Sequence, residues 1–151
     1  MAVALTLAAL IWLALLGAGP GLSRHTDRAP AAVVAVTVYG IGALVCHQGP
    51  PRSLHLNGVR MPVCARCAGL YAGLALGMLA WWRARGTAAG TRLVRTPLAV
   101  LAIVALPTAV TWTTALVGVW DPGNITRAIA ALPLGFIGGA IVTAVVSGEL
   151  R

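Results

Sequence analysis

The amino-acid sequence predicts an all-α, polytopic membrane helix bundle of about five transmembrane helices, with a short β-hairpin loop between helices 2 and 3. Hydrophobic residues make up 59% of the 151 residues and charged residues only 9%, whereas charged residues supply about a quarter of a soluble domain. The mean hydropathy is +0.89, and the apolar residues form five runs. No hydrophilic stretch is long enough for a second, soluble domain, so residues 1–151 are predicted to form a single integral membrane domain.

The five apolar runs are close to the 17–25 residues that a helix needs to cross about 30 Å of hydrocarbon. They cover residues 2–19, 30–45, 63–82, 97–120 and 128–147, and Gly, Pro, Asn and Asp residues mark the breaks between them. No Lys or Arg precedes the first run and no small-residue cleavage site follows it. We therefore interpret it as a retained helix, not as a secretory signal.

The charge pattern points to lipid and to one orientation. The chain has eleven Arg, no Lys and three acidic residues, a net charge of +8. In a soluble protein this balance would suggest nucleic acid, but these arginines lie between apolar runs, so membrane lipids are the predicted partners and nucleic acid is not. Five spans would place seven arginines on one side (24, 28, 83, 85, 92, 95 and 151) and four on the other (52, 60, 66 and 127). This predicts a multi-pass protein of the cytoplasmic membrane whose N-terminus and 47–62 loop are extracytoplasmic.

All three cysteines and two of the three histidines lie within residues 46–67, a segment that we call the cap. Its Asn57-Gly58 dipeptide suits a type I′ turn, and apolar residues alternate on both sides of it, which predicts a β-hairpin. In that register one face carries the apolar residues, while His55 opposes Arg60 on the other face. The hairpin would bring Cys46, at the end of helix 2, close to the start of helix 3.

Helix 3 is predicted to begin at Pro62, because the fixed φ of proline suits the first helical position. Cys64 and Cys67 would then share one face of the first two turns, with Tyr71 on the same stripe. The positive end of the helix dipole and the nearby Arg66 favour thiolate over thiol at these positions.

A metal site is the preferred interpretation of the cap. Cys46, Cys64 and Cys67 with one histidine form a Cys3His set, which is typical of structural zinc or a similar transition metal. His47 is the candidate fourth ligand. His55 competes with it, because adjacent residues such as Cys46 and His47 rarely bind one ion together comfortably. A structural or accessory role is favoured over catalysis.

Two other interpretations stay open at the level of sequence. Cys64-Ala65-Arg66-Cys67 at a helix N-terminus is also the arrangement of an exchanging dithiol, which would make the protein a membrane thiol–disulfide oxidoreductase that passes electrons to a quinone. Alternatively, a disulfide or packed thiols tie the loop down, while Arg52, Arg60 and Arg66 bind lipid phosphates.

Helix 3 also carries glycines at a four-residue spacing, opposite its cysteine face. Gly69, Gly73 and Gly77 form a small-xxx-small pattern, and Gly135 and Gly139 repeat it in the last helix. Such patterns let helix backbones approach closely in lipid. The glycines could form a contact with a second copy of the chain or with another membrane protein. Alternatively, they allow packing within the bundle, which is the interpretation we favour.

The residues from Cys46 to Gly73 carry a dense motif, Cys-His-Gln-x-Pro-x-Arg-Ser followed by Asn-Gly-x-x-x-Pro-Val-Cys-x-Arg-Cys-x-Gly-x-Tyr-x-Gly. This motif resembles the signature of domain of unknown function 2085 (DUF2085), a family of small prokaryotic integral membrane proteins. The likeness continues through Pro107 and the region of Asn124, Arg127 and Gly135. It implies a membrane location but no reaction. It also marks four supporting positions in and just after the cap: Arg52, Ser53, Arg66 and Tyr71.

Overall fold

The computed structural model describes residues 1–25, 27–47, 49–90 and 98–149, and over these ranges the chain is mostly helical. Five long helices are described: α1 (Ala2–Leu22), α2 (Ala29–Val45), α3 (Ala65–Ala84), α4 (Leu98–Val117) and α5 (Asn124–Val146). A short 3-10 helix (Pro50–Arg52) and strands β1 (Ser53–Leu56) and β2 (Val59–Cys64) lie between α2 and α3. Four positions used in the sequence predictions lie outside the described residues: Arg92, Arg95, Pro97 and Arg151.

The predicted hairpin is confirmed. Strands β1 and β2 pair in antiparallel fashion, with His55 opposite Arg60. Asn57 and Gly58 have φ angles of 53° and 81°, and a type I′ turn requires positive φ at both central residues. Met61 on the apolar face is buried in a hydrophobic cluster with side chains of α1 and α2. The hairpin is therefore packed against the bundle.

The start of α3 differs from the prediction. Pro62 does not begin the helix, because β2 continues to Cys64 and α3 begins at Ala65. Pro62 is fully buried, and its ring packs against the backbone of Gly19 in α1. This tertiary contact outweighs the local preference of proline for the first helical turn. Cys64 is consequently the N-cap residue of α3.

Glycines bring α3 and α5 into close parallel contact. A Cβ atom added at Gly69, Gly73 or Gly77 would lie well under 3.0 Å from a backbone carbonyl oxygen of α5, and Gly135 and Gly139 face α3 in the same way. These glycines therefore serve packing within the chain, the interpretation favoured from the sequence, and their faces are covered by the neighbouring helix. Homo-oligomerisation stays a prediction.

The helix directions follow from contacts at the two ends of α3. At its C-terminal end, the indole N–H of Trp82 donates to the Thr6 hydroxyl of α1 at 2.9 Å. At its N-terminal end, Pro62 meets Gly19 near the end of α1. Helices α1 and α3 are thus antiparallel, and the N-terminus lies at the end of the bundle opposite the cap. This arrangement does not support the prediction that the N-terminus and the cap share one side of the membrane.

Helix α2 begins and ends near the same end of the bundle. Ala32 in its first turns lines a shared cavity with Ser23, just after α1. Cys46 follows its last turn and accepts a hydrogen bond from the Cys64 backbone N–H at 3.2 Å. Because both Ser23 and Cys64 lie at the cap end, α2 does not connect the two ends of the bundle.

By length and composition, three helices of the described chain are able to cross a membrane: α1, α4 and α5. Helix α2 is apolar but has only 17 residues. Helix α3 is 20 residues long, but Arg66 and Arg83 near its ends and the glycines between them lower its hydropathy. The structure therefore supports a membrane protein with three candidate spans, and it does not confirm a count of five.

Candidate metal centre

The three cysteines of the chain meet at the cap end of the bundle. Cys46 follows α2, Cys64 ends β2, and Cys67 lies in the first turn of α3. Their Sγ atoms all lie within 4.8 Å of one another. Cys46 is buried and the other two are half-buried, and all three are free thiols. Residues far apart in sequence thus form one thiol cluster.

The hairpin sets this geometry through Ser53, which pairs with Cys64 across the strands. Ser53 is fully buried, and its hydroxyl donates to the Gly49 carbonyl oxygen at 3.2 Å. Its own carbonyl oxygen accepts from the Asn124 side-chain amide of α5 at 2.9 Å. These two bonds fix the start of the hairpin, and the ladder then places Cys64 beside Cys46.

The environment of Cys64 favours the thiolate. The Cys67 thiol, hydrogen-bonded to the Cys64 sulfur, is the largest influence and lowers the pKa of Cys64 to about 5, although partial burial opposes the shift. The Cys46 thiol and the first backbone N–H groups of α3 act in the same direction. A thiolate is the form of cysteine that binds metals.

The structure separates the two candidate histidines. His47 is exposed, but it lines the same cavity as Cys46 and Cys64. His55 is exposed on the hairpin, opposite Arg60. Neither imidazole belongs to the three-sulfur group. Of the two, His47 is the one placed beside the cluster.

A cavity of about 100 Å³ adjoins the cluster and is rich in arginine. Arg52, Arg66 and Arg127 line it together with Cys46 and Cys64. The guanidinium of Arg66 donates to the Thr111 carbonyl oxygen of α4 at 2.6 Å, which ties α3 to α4. The cavity is therefore lined by both thiol groups and positively charged guanidinium groups.

Arg127 is the most buried charged group of the site, with 3% of its surface exposed. Its guanidinium donates to the Asn124 side-chain oxygen at 3.1 Å and to the Asp121 carboxylate. Asp121 is itself exposed. These two acceptors hold Arg127 in place, and its side chain also lines the cavity.

Tyr71 supports the site from below. Its ring meets Trp12 of α1 edge to face, with the ring centroids 6.1 Å apart. Both aromatic rings pack against the hydrophobic cluster that contains Cys46. Tyr71 thus fills space beneath the thiols, as its predicted place on the cysteine stripe of α3 suggests.

Sequence reasoning gave too little weight to three residues at and just before the start of α5. It used Arg127 to estimate orientation and placed Asn124 and Arg127 in the region of family likeness, but it gave Asp121, Asn124 and Arg127 no role in the site. Helix α5 begins at Asn124, four residues before the predicted run, so that Asn124 and Arg127 share the face that meets the cap. The sequence signal that could have identified these residues is a group of hydrogen-bonding side chains, Asp, Asn and Arg, directly before the last apolar run.

Comparison with known proteins identifies the family of the chain. The sequence profile described as "Predicted membrane protein (DUF2085)" matches residues 46–141, from the first cysteine of the cluster to the second half of α5. The chain belongs to the DUF2085 family. The matched range contains every residue of the thiol cluster and of the arginine cavity. The resemblance seen in the sequence is thereby confirmed.

The chain is also similar in sequence to two uncharacterised proteins. An uncharacterised protein of Methanocaldococcus jannaschii is 35% identical over 104 residues, which is 68% of this chain and 64% of that protein. An uncharacterised protein of Methanothermobacter thermautotrophicus is 35% identical over 101 residues, 67% of this chain and 86% of the relative. This chain thus spans slightly under two thirds of the length of the M. jannaschii protein. No solved structure matches the chain.

Proposed function

We propose that the cap is a metal-binding element in which Cys46, Cys64 and Cys67 hold one zinc-like ion. The observation that supports this is the mutual approach of three Sγ atoms within 4.8 Å. In a tetrahedral site with Zn–S distances of about 2.3 Å, sulfur atoms lie about 3.8 Å apart. The cluster therefore needs only a small contraction to bind the ion.

The proposed role of the metal is structural or accessory. Cys46 follows α2, while Cys64 and Cys67 belong to β2 and α3. One ion bound by all three therefore joins α2, the hairpin and α3. His47 is the proposed fourth ligand, because its side chain borders the same cavity.

The metal content of the purified protein tests this proposal. In detergent, without a metal-binding tag, elemental mass spectrometry should find about one zinc or similar ion per chain. Cys64→Ser should lose it. His47→Ala should bind it at least about 10–100-fold more weakly, because losing a direct ligand costs at least as much as losing a residue that only orients one. His55→Ala is the matched control and should retain it. A metal-free wild-type protein, or full occupancy in Cys64→Ser, would refute the proposal.

Thiol–disulfide exchange is the second candidate, favoured by the lowered pKa of Cys64 and the nearby Cys67. Joining these two sulfurs would release two electrons and two protons, which a membrane quinone would accept to become a quinol. Cys46 counts against this role, because a third thiol within 4.8 Å would compete for any disulfide formed. A Cys64–Cys67 disulfide in metal-free protein, reducible and reformed by added quinone, would favour this candidate.

We further propose that α1, α3, α4 and α5 each cross the membrane and that α2 lies at the interface on the cap side. Helix α3 runs beside the candidate span α5 from Gly69 to Gly77, so the two helices share one depth. In this arrangement the termini lie together, opposite the cap. By sequence order, this topology assigns five arginines outside the cap to the side of the termini (83, 85, 92, 95 and 151) and three to the other side (24, 28 and 127). This imbalance favours an extracytoplasmic cap.

Protease accessibility of terminal tags tests this topology. Epitope tags at the N- and C-termini should both survive protease added to intact spheroplasts and should both be digested in inverted vesicles. A five-span protein would give opposite results for the two tags. Digestion of both tags in spheroplasts would reverse the proposed orientation but keep the four spans.

A further inference from the structure

We infer that the cavity lined by Arg52, Arg66 and Arg127 is a binding site for one phosphate group. The site goes beyond the proposed metal function and does not rest on it, because its donors are guanidinium groups. Arginine presents a planar set of N–H donors that matches phosphate oxygens. Three such side chains around one small cavity are more than structural pairing requires.

Unsatisfied donors are the first support for this site. The Nε–H of Arg127 is buried and has no hydrogen-bond partner within the described residues, and the same holds for the Nε–H of Arg66. Arg127 itself is only 3% exposed. A buried, charged donor without an acceptor is costly, and both of these arginine side chains line the cavity.

Charge balance is the second support. The three arginines are close enough for Arg52 and Arg127 to repel the guanidinium of Arg66 electrostatically. Asp121 pairs with Arg127 and offsets one positive charge. The arginine side of the cavity therefore keeps a net positive charge, which favours an anion.

Size restricts the ligand. The cavity of about 100 Å³ is equivalent to roughly three water molecules at their share of liquid volume. A cavity of this size accommodates a tetrahedral oxyanion. The ligand is therefore inorganic phosphate or the phosphate of a lipid head group that enters from the membrane surface.

Binding of inorganic phosphate to the detergent-solubilised full chain, measured by calorimetry in a phosphate-free buffer, tests the first source. Arg52→Gln should weaken binding at least about ten-fold, because it removes a charged hydrogen-bond donor to the anion. Arg28→Gln removes an equal charge from the same end of the bundle and should change the affinity less than about two-fold. Arg52→Gln should keep its bound metal, measured by elemental mass spectrometry, which separates this site from the metal centre.

Native mass spectrometry of protein from phosphatidylglycerol nanodiscs tests the second source. Phosphatidylglycerol that stays bound to the wild type and to Arg28→Gln, but is lost from Arg52→Gln, would assign the site to a lipid phosphate. Arg127→Gln, if it folds, should behave like Arg52→Gln. The inference is overturned if neither probe binds, or if Arg28→Gln and Arg52→Gln weaken both probes equally.

Discussion

Replacing Gly77 by leucine is expected to destabilise the bundle by about 3 kcal/mol or more, which exceeds the usual cost of overpacking a core. Even a Cβ at this position would overlap the Phe136 carbonyl oxygen of α5. Backbone atoms cannot rotate away, so α3 and α5 would have to separate along their length. For a chain of this size the thermal midpoint should fall by about 6–12 °C.

Gly138→Leu is the matched control. Gly138 lies in α5, and nothing would lie within 4 Å of a Cβ added there. The same chemical change should therefore leave the thermal midpoint within about 2 °C of the wild type. If Gly77→Leu were equally harmless, the close parallel packing of α3 on α5 would be incorrect.

Removing the metal is expected to open the cap while the helices stay packed. A metal at about 1,000 times its Kd stabilises the bound state by about 4 kcal/mol. Chelation should then speed hydrogen exchange of the β1 and β2 amides about a thousand-fold, as measured by mass spectrometry. Buried amides of α3 between Gly73 and Trp81 should keep their protection, because they depend on packing against α5.

Cys64→Ser provides the control for chelation. This variant should show fast exchange in the hairpin from the outset and no further response to the chelator. A response equal to that of the wild type would mean that the chelator acts somewhere other than on the cysteine cluster. Unchanged exchange in the chelated wild type would remove the proposed stabilising role.

Local signals in the sequence were sufficient for some of this architecture. Asn57-Gly58 between alternating apolar residues specifies the turn and the pairing next to it, because a type I′ turn allows few other residues; an irregularity between Ser53 and His55 then shifts the pairing of Ser53 to Cys64. The glycine spacing in α3 anticipates close helix packing. Both features depend on neighbouring residues alone, so a single sequence contains them.

The span count and the placement of the N-terminus depended on contacts that no local pattern contains. The run that forms α2 is as apolar as a spanning helix, but Cys46 at its end meets Cys64. That contact places the C-terminal end of α2 near the cap, and the cavity that Ala32 shares with Ser23 places its N-terminal end there too. Pro62 shows the same limit, since its packing against Gly19 keeps it in a strand.

The candidate site was likewise predictable only in part. Cysteine spacing and the hairpin were enough to predict that Cys46 approaches Cys64 and Cys67. The arginine side of the site was largely missed, because Arg127 reaches the cavity only through the parallel packing of α5 on α3. A residue about 60 positions from Cys64 cannot be assigned to its surroundings by spacing alone.

X-ray absorption at the zinc edge is the most direct test of the metal centre, using protein loaded with one equivalent of zinc. The account predicts about three sulfur neighbours at roughly 2.3 Å and one nitrogen or oxygen neighbour at about 2.0–2.1 Å. The sulfur signal should fall to about two neighbours, or vanish, in Cys64→Ser. A first shell made only of nitrogen and oxygen in the wild type would contradict the account, because the ion would then be bound elsewhere.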